Sequence, residues 1–151
     1  MPRFEPAQVG SYELEIDINS SRENVWKALT KETNTWWLPS FHMVGEGSII
    51  NMRAEAGGQL LEKKENGAGL LWCTVHAVDP GNSIHFVGHS FPAWGGPGTS
   101  MLIFNLEDNG NGCKLKVSDH HFGLVTEQHL TSLQEGWTLL FTEGLKKHCE
   151  A

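Results

Sequence analysis

The sequence predicts an α+β protein: a curved antiparallel sheet carrying a long C-terminal helix, with two short helices after the first strand. Three observations predict it. From about Thr126 to Lys147, Leu130, Leu133, Trp137, Leu140, Phe141, Gly144 and Leu145 recur in steps of three and four, which makes one continuous helical stripe. Gln128, Thr131, Glu135, Thr138, Thr142 and Lys146 occupy the other side, so this helix lies on a surface with water behind it. From Phe41 to His121 the chain instead breaks into short extended runs between glycine-rich turns, with no helix-length pattern among them, so neighbouring runs pair antiparallel.

In chain order, Tyr12, Leu14, Ile16 and Ile18 alternate with Glu13, Glu15 and Asp17, the pattern of a half-buried strand. Ser20-Ser21-Arg22-Glu23 fits a capping box, with Ser20 capping the first turn and Glu23 bonding back, and Val25, Trp26 and Leu29 form the apolar face of a short helix. A second helical segment, Glu32 to Trp37, is stopped by Leu38-Pro39. Adjacent helical residues point about 100° apart, so of Trp36 and Trp37 one is expected in the core and the other at an edge. The extended runs are Ser48 to Ala54, Gln59 to Lys64, Leu70 to Val78, Ser83 to Gly88, Ser100 to Glu107 and Cys113 to His120. The loop Phe91-Pro92-Ala93-Trp94-Gly95-Gly96-Pro97-Gly98 carries two large rings, which are expected to fold back onto the body as a lid or a plug.

A length of 151 residues suits a single domain, residues 1–151, with a proper core. A net charge of −7 and scattered lysines and arginines exclude a basic footprint, so nucleic acid is not an expected partner. No run approaches membrane-spanning length and the first residues lack the apolar stretch of a signal peptide. Cys73, Cys113 and Cys149 form neither a disulfide framework nor a metal-ligand spacing, and a reducing cytoplasm is the expected compartment. Dimerisation is compatible with the sequence and is not specified by it. Six tryptophans against one tyrosine supply rings without hydroxyls, suited to an apolar core or to a cavity wall.

Three stretches carry a family resemblance. Ile16-Asp17-Ile18-Asn19-Ser20-Ser21-Arg22-Glu23-Asn24-Val25-Trp26-Lys27-Ala28-Leu29-Thr30, followed by Trp36-Trp37, resembles the opening of the START-like superfamily, specifically the domain named after the activator of the Hsp90 ATPase. Val75-His76-Ala77-Val78-Asp79-Pro80 with Ile84-His85-Phe86 is similar to that family's central hairpin. Leu115-Lys116-Val117-Ser118-Asp119-His120-His121-Phe122 and Gly136-Trp137 resemble its last strand and the start of its closing helix. The resemblance spans nearly the whole chain in the expected order and implies a helix-grip fold, a curved antiparallel sheet wrapped around the C-terminal helix and enclosing a cavity. It implies no one activity, since relatives include lipid and hormone carriers, cyclases and co-chaperone domains. Asp119 stands where the family's final strand commonly carries a histidine or another residue.

Asp119 is the first candidate for chemistry. If Leu115 and Val117 face inward, period-two alternation turns Asp119 inward too, where burial would raise its pKa; if the strand ends earlier, Asp119 caps a turn in water. His120 and His121 point to opposite faces, and His85 and His89 on one strand would stand roughly 13 Å apart, too far to share an ion. A cross-strand group of His89, Asp119 and His121 is the remaining metal geometry, but no diagnostic ligand spacing supports it and no metal is assigned. No GxSxG nucleophile, activated cysteine or phosphate-binding lysine is present, so no cofactor is expected.

The expected binding residues are Trp37, Trp72, Phe86, Trp94, Phe104, Trp137 and Phe141 as walls, with Asp119 and His121 orienting a polar group. The leading expectation is a protein that takes a small apolar or amphipathic ligand between sheet and helix. The alternatives are a cyclase- or hydrolase-type enzyme using Asp119 or His121 as general acid or base, and a co-chaperone-like interaction module acting through its surface. Gly136 and Gly144 are unfavourable inside a helix, and close approach of a strand or ligand is the expected reason for both.

Overall fold

A computed structural model describes residues 1–151. The strands are β1 (Gln8–Ile18), β2 (Ile49–Met52), β3 (Gln59–Lys63), β4 (Gly69–Asp79), β5 (Ser83–Ser90), β6 (Gly98–Asn109) and β7 (Gly112–Gly123). They form one antiparallel sheet in the order β1-β7-β6-β5-β4-β3-β2, a meander from β2 to β7 that β1 closes beside β7. Helices α1 (Arg22–Lys31) and α2 (Thr33–Trp36) follow β1. The closing helix is built of α3 (Glu127–Leu139), a π-helical segment (Leu140–Lys146) and α4 (Lys147–Glu150).

The alternation in β1 works as read: Tyr12, Leu14, Ile16 and Ile18 are buried while the acidic residues between them are exposed. The first helix begins one residue later than the capping box implies. Ser21, not Ser20, is the cap, accepting from the Asn24 amide at 3.1 Å, while Ser20 takes the Asn24 side chain. Two consecutive serines offer the same chemistry, and the backbone uses the one whose extended conformation (φ −64°, ψ 152°) leads into the helix.

Trp36 and Trp37 are both in the core at 4% exposure, which overturns the expectation of one inside and one at the edge. Helix α2 ends at Trp36, and Trp37 leaves it with extended angles (φ −66°, ψ 119°), so the helical offset no longer separates the rings. Their centroids stand 5.7 Å apart, and each indole N–H is satisfied, by Ala28 O at 2.7 Å and Phe41 O at 3.1 Å.

Within the closing helix, Leu140, Phe141, Gly144 and Leu145 are fully covered, whereas Leu130, Leu133 and Trp137 are half-buried. An i→i+5 turn brings residues four and five apart onto one face, which suits this spacing. Gly144 lies against the Trp36 backbone so closely that an added Cβ would overlap the Trp36 carbonyl oxygen. The close approach expected at Gly144 is therefore present, made by the end of α2 rather than by a strand or ligand. Gly136 differs: a Cβ there would meet nothing nearer than the Phe41 ring at 3.9 Å.

Strand β4 departs from simple alternation twice. The register steps between Leu60–Cys73 and Leu61–Leu71, leaving Trp72 as an extra residue against β3, and again between Val75–Phe86 and Ala77–His85, leaving His76 extra against β5. Such bulges bend the strand and re-aim its side chains. Pairing between β4 and β5 stops at Thr74–Val87, just short of the residues that line the cleft described next.

Candidate ligand-binding site

A cleft of about 290 Å³ opens between the sheet and α3. Leu70, Trp72, Leu102, Leu133 and Trp137 supply apolar walls, Met43 and Trp94 stand at its rim, and Ser100, Asp119, His121 and His129 form its polar end.

Strand β7 continues to Gly123, so Asp119 does not cap a turn in water but faces inward at 2% exposure. It lies opposite Tyr12 on one side and Leu102 on the other. The Tyr12 hydroxyl donates to Oδ2 at 2.7 Å, and the Ser100 hydroxyl donates to Oδ1. Each carboxylate oxygen thus has a donor, which offsets the cost of burying the group. Burial, and then the carboxylate beside it, push the Tyr12 phenol well above its ordinary range, so Tyr12 remains a donor.

Two residues on, His121 shares the inward face and lies opposite Ser100. It is also 2% exposed, and its ring centroid is 5.5 Å from that of His129 on α3. Neither ring nitrogen of His121 has a hydrogen-bond partner, nor does Nε2 of His129. Burial holds the His121 imidazole below its ordinary pKa; Asp119 pulls in the other direction and His129 adds to the effect of burial. Buried polar atoms without partners are uncommon, and three in one place call for an explanation.

Of the expected wall residues, Trp72, Trp94 and Trp137 line the cleft, together with Asp119 and His121. Trp37, Phe86, Phe104 and Phe141 do not: at 4%, 1%, 3% and 0% exposure they are core, packed beneath it. The reason is continuous ring contact. Phe86 meets Phe104 at 5.0 Å, Phe104 meets Phe141 at 5.3 Å, Phe141 stacks on Trp137 at 5.4 Å, and Trp37 meets Trp72 edge-on at 5.2 Å. These rings pack beneath the cleft, which is lined where β4 and β5 no longer pair with each other.

The loop lies against the body, with Trp94 at the cleft rim and Gly95 beside the His129 ring, but neither of its large rings is buried as a plug. Phe91 is 65% and Trp94 48% exposed; the short turn Pro92–Trp94 sets them side by side at 6.2 Å, each covering the other in place of the core. The cross-strand group of His89, Asp119 and His121 is not formed either. His89 is exposed and bonds the Thr99 hydroxyl at 2.9 Å, and no three His, Cys, Asp or Glu side chains converge to hold a metal ion. Cys73 lines the cleft, but burial pushes its thiol up to about 12, which leaves it without thiolate character.

Sequence reasoning missed His129, Ser100 and Glu62. His129 stands four residues before Leu133 and eight before Trp137, so extending the helical stripe by one turn reaches it. Ser100 carries no local signal, since its bond to Asp119 comes from its place on the neighbouring strand. Glu62 shares the inward face of β3 with Leu60 and is fully buried. Its carboxylate accepts from the Met43 and Val44 amides (3.1 and 2.8 Å), the Ser48 hydroxyl (2.7 Å) and the Trp72 indole (3.0 Å). It thereby ties the rim residue Met43 to the wall residue Trp72.

This architecture, a seven-stranded antiparallel sheet gripping a C-terminal helix around an inward-facing cleft, is that of a START-like helix-grip protein. Within that class, the chain belongs to the family described as Activator of Hsp90 ATPase homolog 1-like proteins, whose family model matches residues 19–150. Solved structures carry the same fold. An uncharacterized protein from Rhizobium leguminosarum superposes with a TM-score of 0.70 at 13% identity, over 96% of this chain and 97% of that one. CV1439 from Chromobacterium violaceum gives 0.68 at 17% identity, over 93% and 97%. The Aha1 dimer from Colwellia psychrerythraea gives 0.66 at 18% identity, over 93% and 96%. At these identities the likeness is one of fold. Comparison with curated protein sequences gave no match. No helix is long and apolar enough to cross a membrane.

Proposed function

We propose that this protein binds a small, mostly apolar molecule with one polar group in the cleft between the sheet and α3. The observation that carries the reading is His121, a buried histidine with both ring nitrogens unpaired at the end of a cleft walled by Trp72 and Trp137. A protein gains stability by filling voids and by pairing buried polar atoms, so a site that does neither is shaped for a molecule that does both. Native mass spectrometry of the purified protein tests this. The expected result is a co-purified small molecule that is lost in Trp137→Ala. A bare protein whose melting temperature no small molecule raises would count against binding and in favour of a surface-acting interaction module.

The placement of His121 also supports a second reading, acid–base catalysis. Asp119 is held by the Tyr12 and Ser100 hydroxyls, while His121 has both ring nitrogens unpaired and so is placed to take or give a proton in the cleft. On this reading His121→Gln abolishes turnover of a discovered substrate, and full activity of that variant removes it.

A further inference from the structure

Resting on the reading of the cleft as a binding site, we infer that the molecule it takes presents an uncharged hydroxyl, a phenol or an alcohol, to His121 and not a carboxylate. The first ground is charge. None of the sixteen residues that line the cleft is a lysine or an arginine, while Asp119 is one of them. A carboxylate seated at the polar end would lie beside Asp119 with no fixed cation to offset its desolvation. Protonation of His89, His121 or His129 would be its only source of positive charge; His89 is exposed, and burial opposes protonation at His121.

The second ground is hydrogen-bond complementarity. A neutral imidazole has one N–H and one lone pair, and both nitrogens of His121 are unpaired, with Nε2 of His129 unpaired near by. A hydroxyl is the smallest group that accepts from one such nitrogen while donating to another. Asp119 already accepts from the Tyr12 and Ser100 hydroxyls, and a lone pair it has left accepts the proton of a hydroxyl while repelling a carboxylate. The flat apolar walls, Trp72 and Trp137, suit an aromatic or alicyclic body behind that hydroxyl.

Calorimetric titration of the purified protein near neutral pH with 2-naphthol, 2-methylnaphthalene and 2-naphthoate separates the possibilities, because the three share one body and differ in the head. The expected order is naphthol tightest, about five- to thirtyfold ahead of methylnaphthalene as one or two net hydrogen bonds would give, with naphthoate weakest. His121→Phe is expected to remove the preference for naphthol over methylnaphthalene. Naphthoate binding as tightly as naphthol, or naphthol no tighter than methylnaphthalene, overturns the inference about the head group and leaves an apolar pocket standing. Failure of all three to bind overturns the binding reading itself and this inference with it. The comparison among ligands is made on the unaltered protein, so the result holds even where the variant fails to fold.

Discussion

Tyr12, in the first strand, and Asp119, in the last, face each other across β1 and β7, and the tyrosine hydroxyl donates to the carboxylate at 2.7 Å. This bond joins residues 107 positions apart and fixes the polar end of the cleft. Removing the hydroxyl leaves a buried, charged oxygen with one donor fewer. Tyr12→Phe is therefore expected to lower stability by about 1–3 kcal/mol in urea unfolding. The double variant Tyr12→Phe/Asp119→Asn should cost less than the sum of the single ones, since the pair is coupled. Additive costs would show that the two side chains act independently.

The fold was legible where a local pattern determines placement. Tyr12, Leu14, Ile16 and Ile18 read as one face of a strand and are buried together; Leu140, Phe141 and Leu145 read as a helical stripe and lie in the core. The site was legible in part. Asp119 and His121 follow from alternation once β7 is extended, but whether Phe86, Phe104 and Phe141 wall a cavity or fill it depends on summed volume in three dimensions, which no spacing encodes. The bulge at Trp72 depends on register against β3, and the buried bonds of Glu62 depend on a loop folding back over it. Neither has a signal in its own segment.

Glu62 carries the second prediction. Burial by itself would raise its pKa, but the Ser48 hydroxyl, the Val44 amide, the Trp72 indole and the Met43 amide together outweigh burial and hold it below the usual carboxylate value. The unfolded chain then takes up the proton before the folded one does. The contribution of Glu62 to stability is present above about pH 4.5 and is lost as pH falls through the lower folded value. Glu62→Gln turns a hydrogen-bearing amide toward these donors and should cost about 2–4 kcal/mol at neutral pH. It should also flatten the acid side of the stability–pH curve; an unchanged acid limb would place the sensitivity elsewhere.

His121 titrates in the opposite chemical sense with the same linkage sign. Its folded pKa is lowered, so its neutral form belongs to the folded state. Stability from this residue is full above about pH 6.5, the unfolded value, and is lost as pH falls through the lowered folded value. In an NMR titration of the imidazole, the midpoint for His121 should lie below the ordinary histidine value of about 6.5. A midpoint at or above that value would mean that the attraction of Asp119 prevails over burial.

The two helix glycines give a paired test of packing against intrinsic preference. Gly144 meets the Trp36 backbone, and a methyl group there must displace either the closing helix or the end of α2, both held in the core by Trp36 and Phe141 at 6.1 Å. Gly144→Ala is therefore expected to cost about 1–3 kcal/mol in spite of the better helix propensity of alanine. Gly136 has ordinary van der Waals room, with the Phe41 ring 3.9 Å from where a Cβ would sit. Gly136→Ala should then show the propensity gain nearly undiluted, up to about 1 kcal/mol of added stability. Thermal unfolding of the two variants side by side should shift the midpoint in opposite directions. A loss at Gly136 would show that backbone freedom in this turn, next to Trp137 and the cleft, is used by the folded protein.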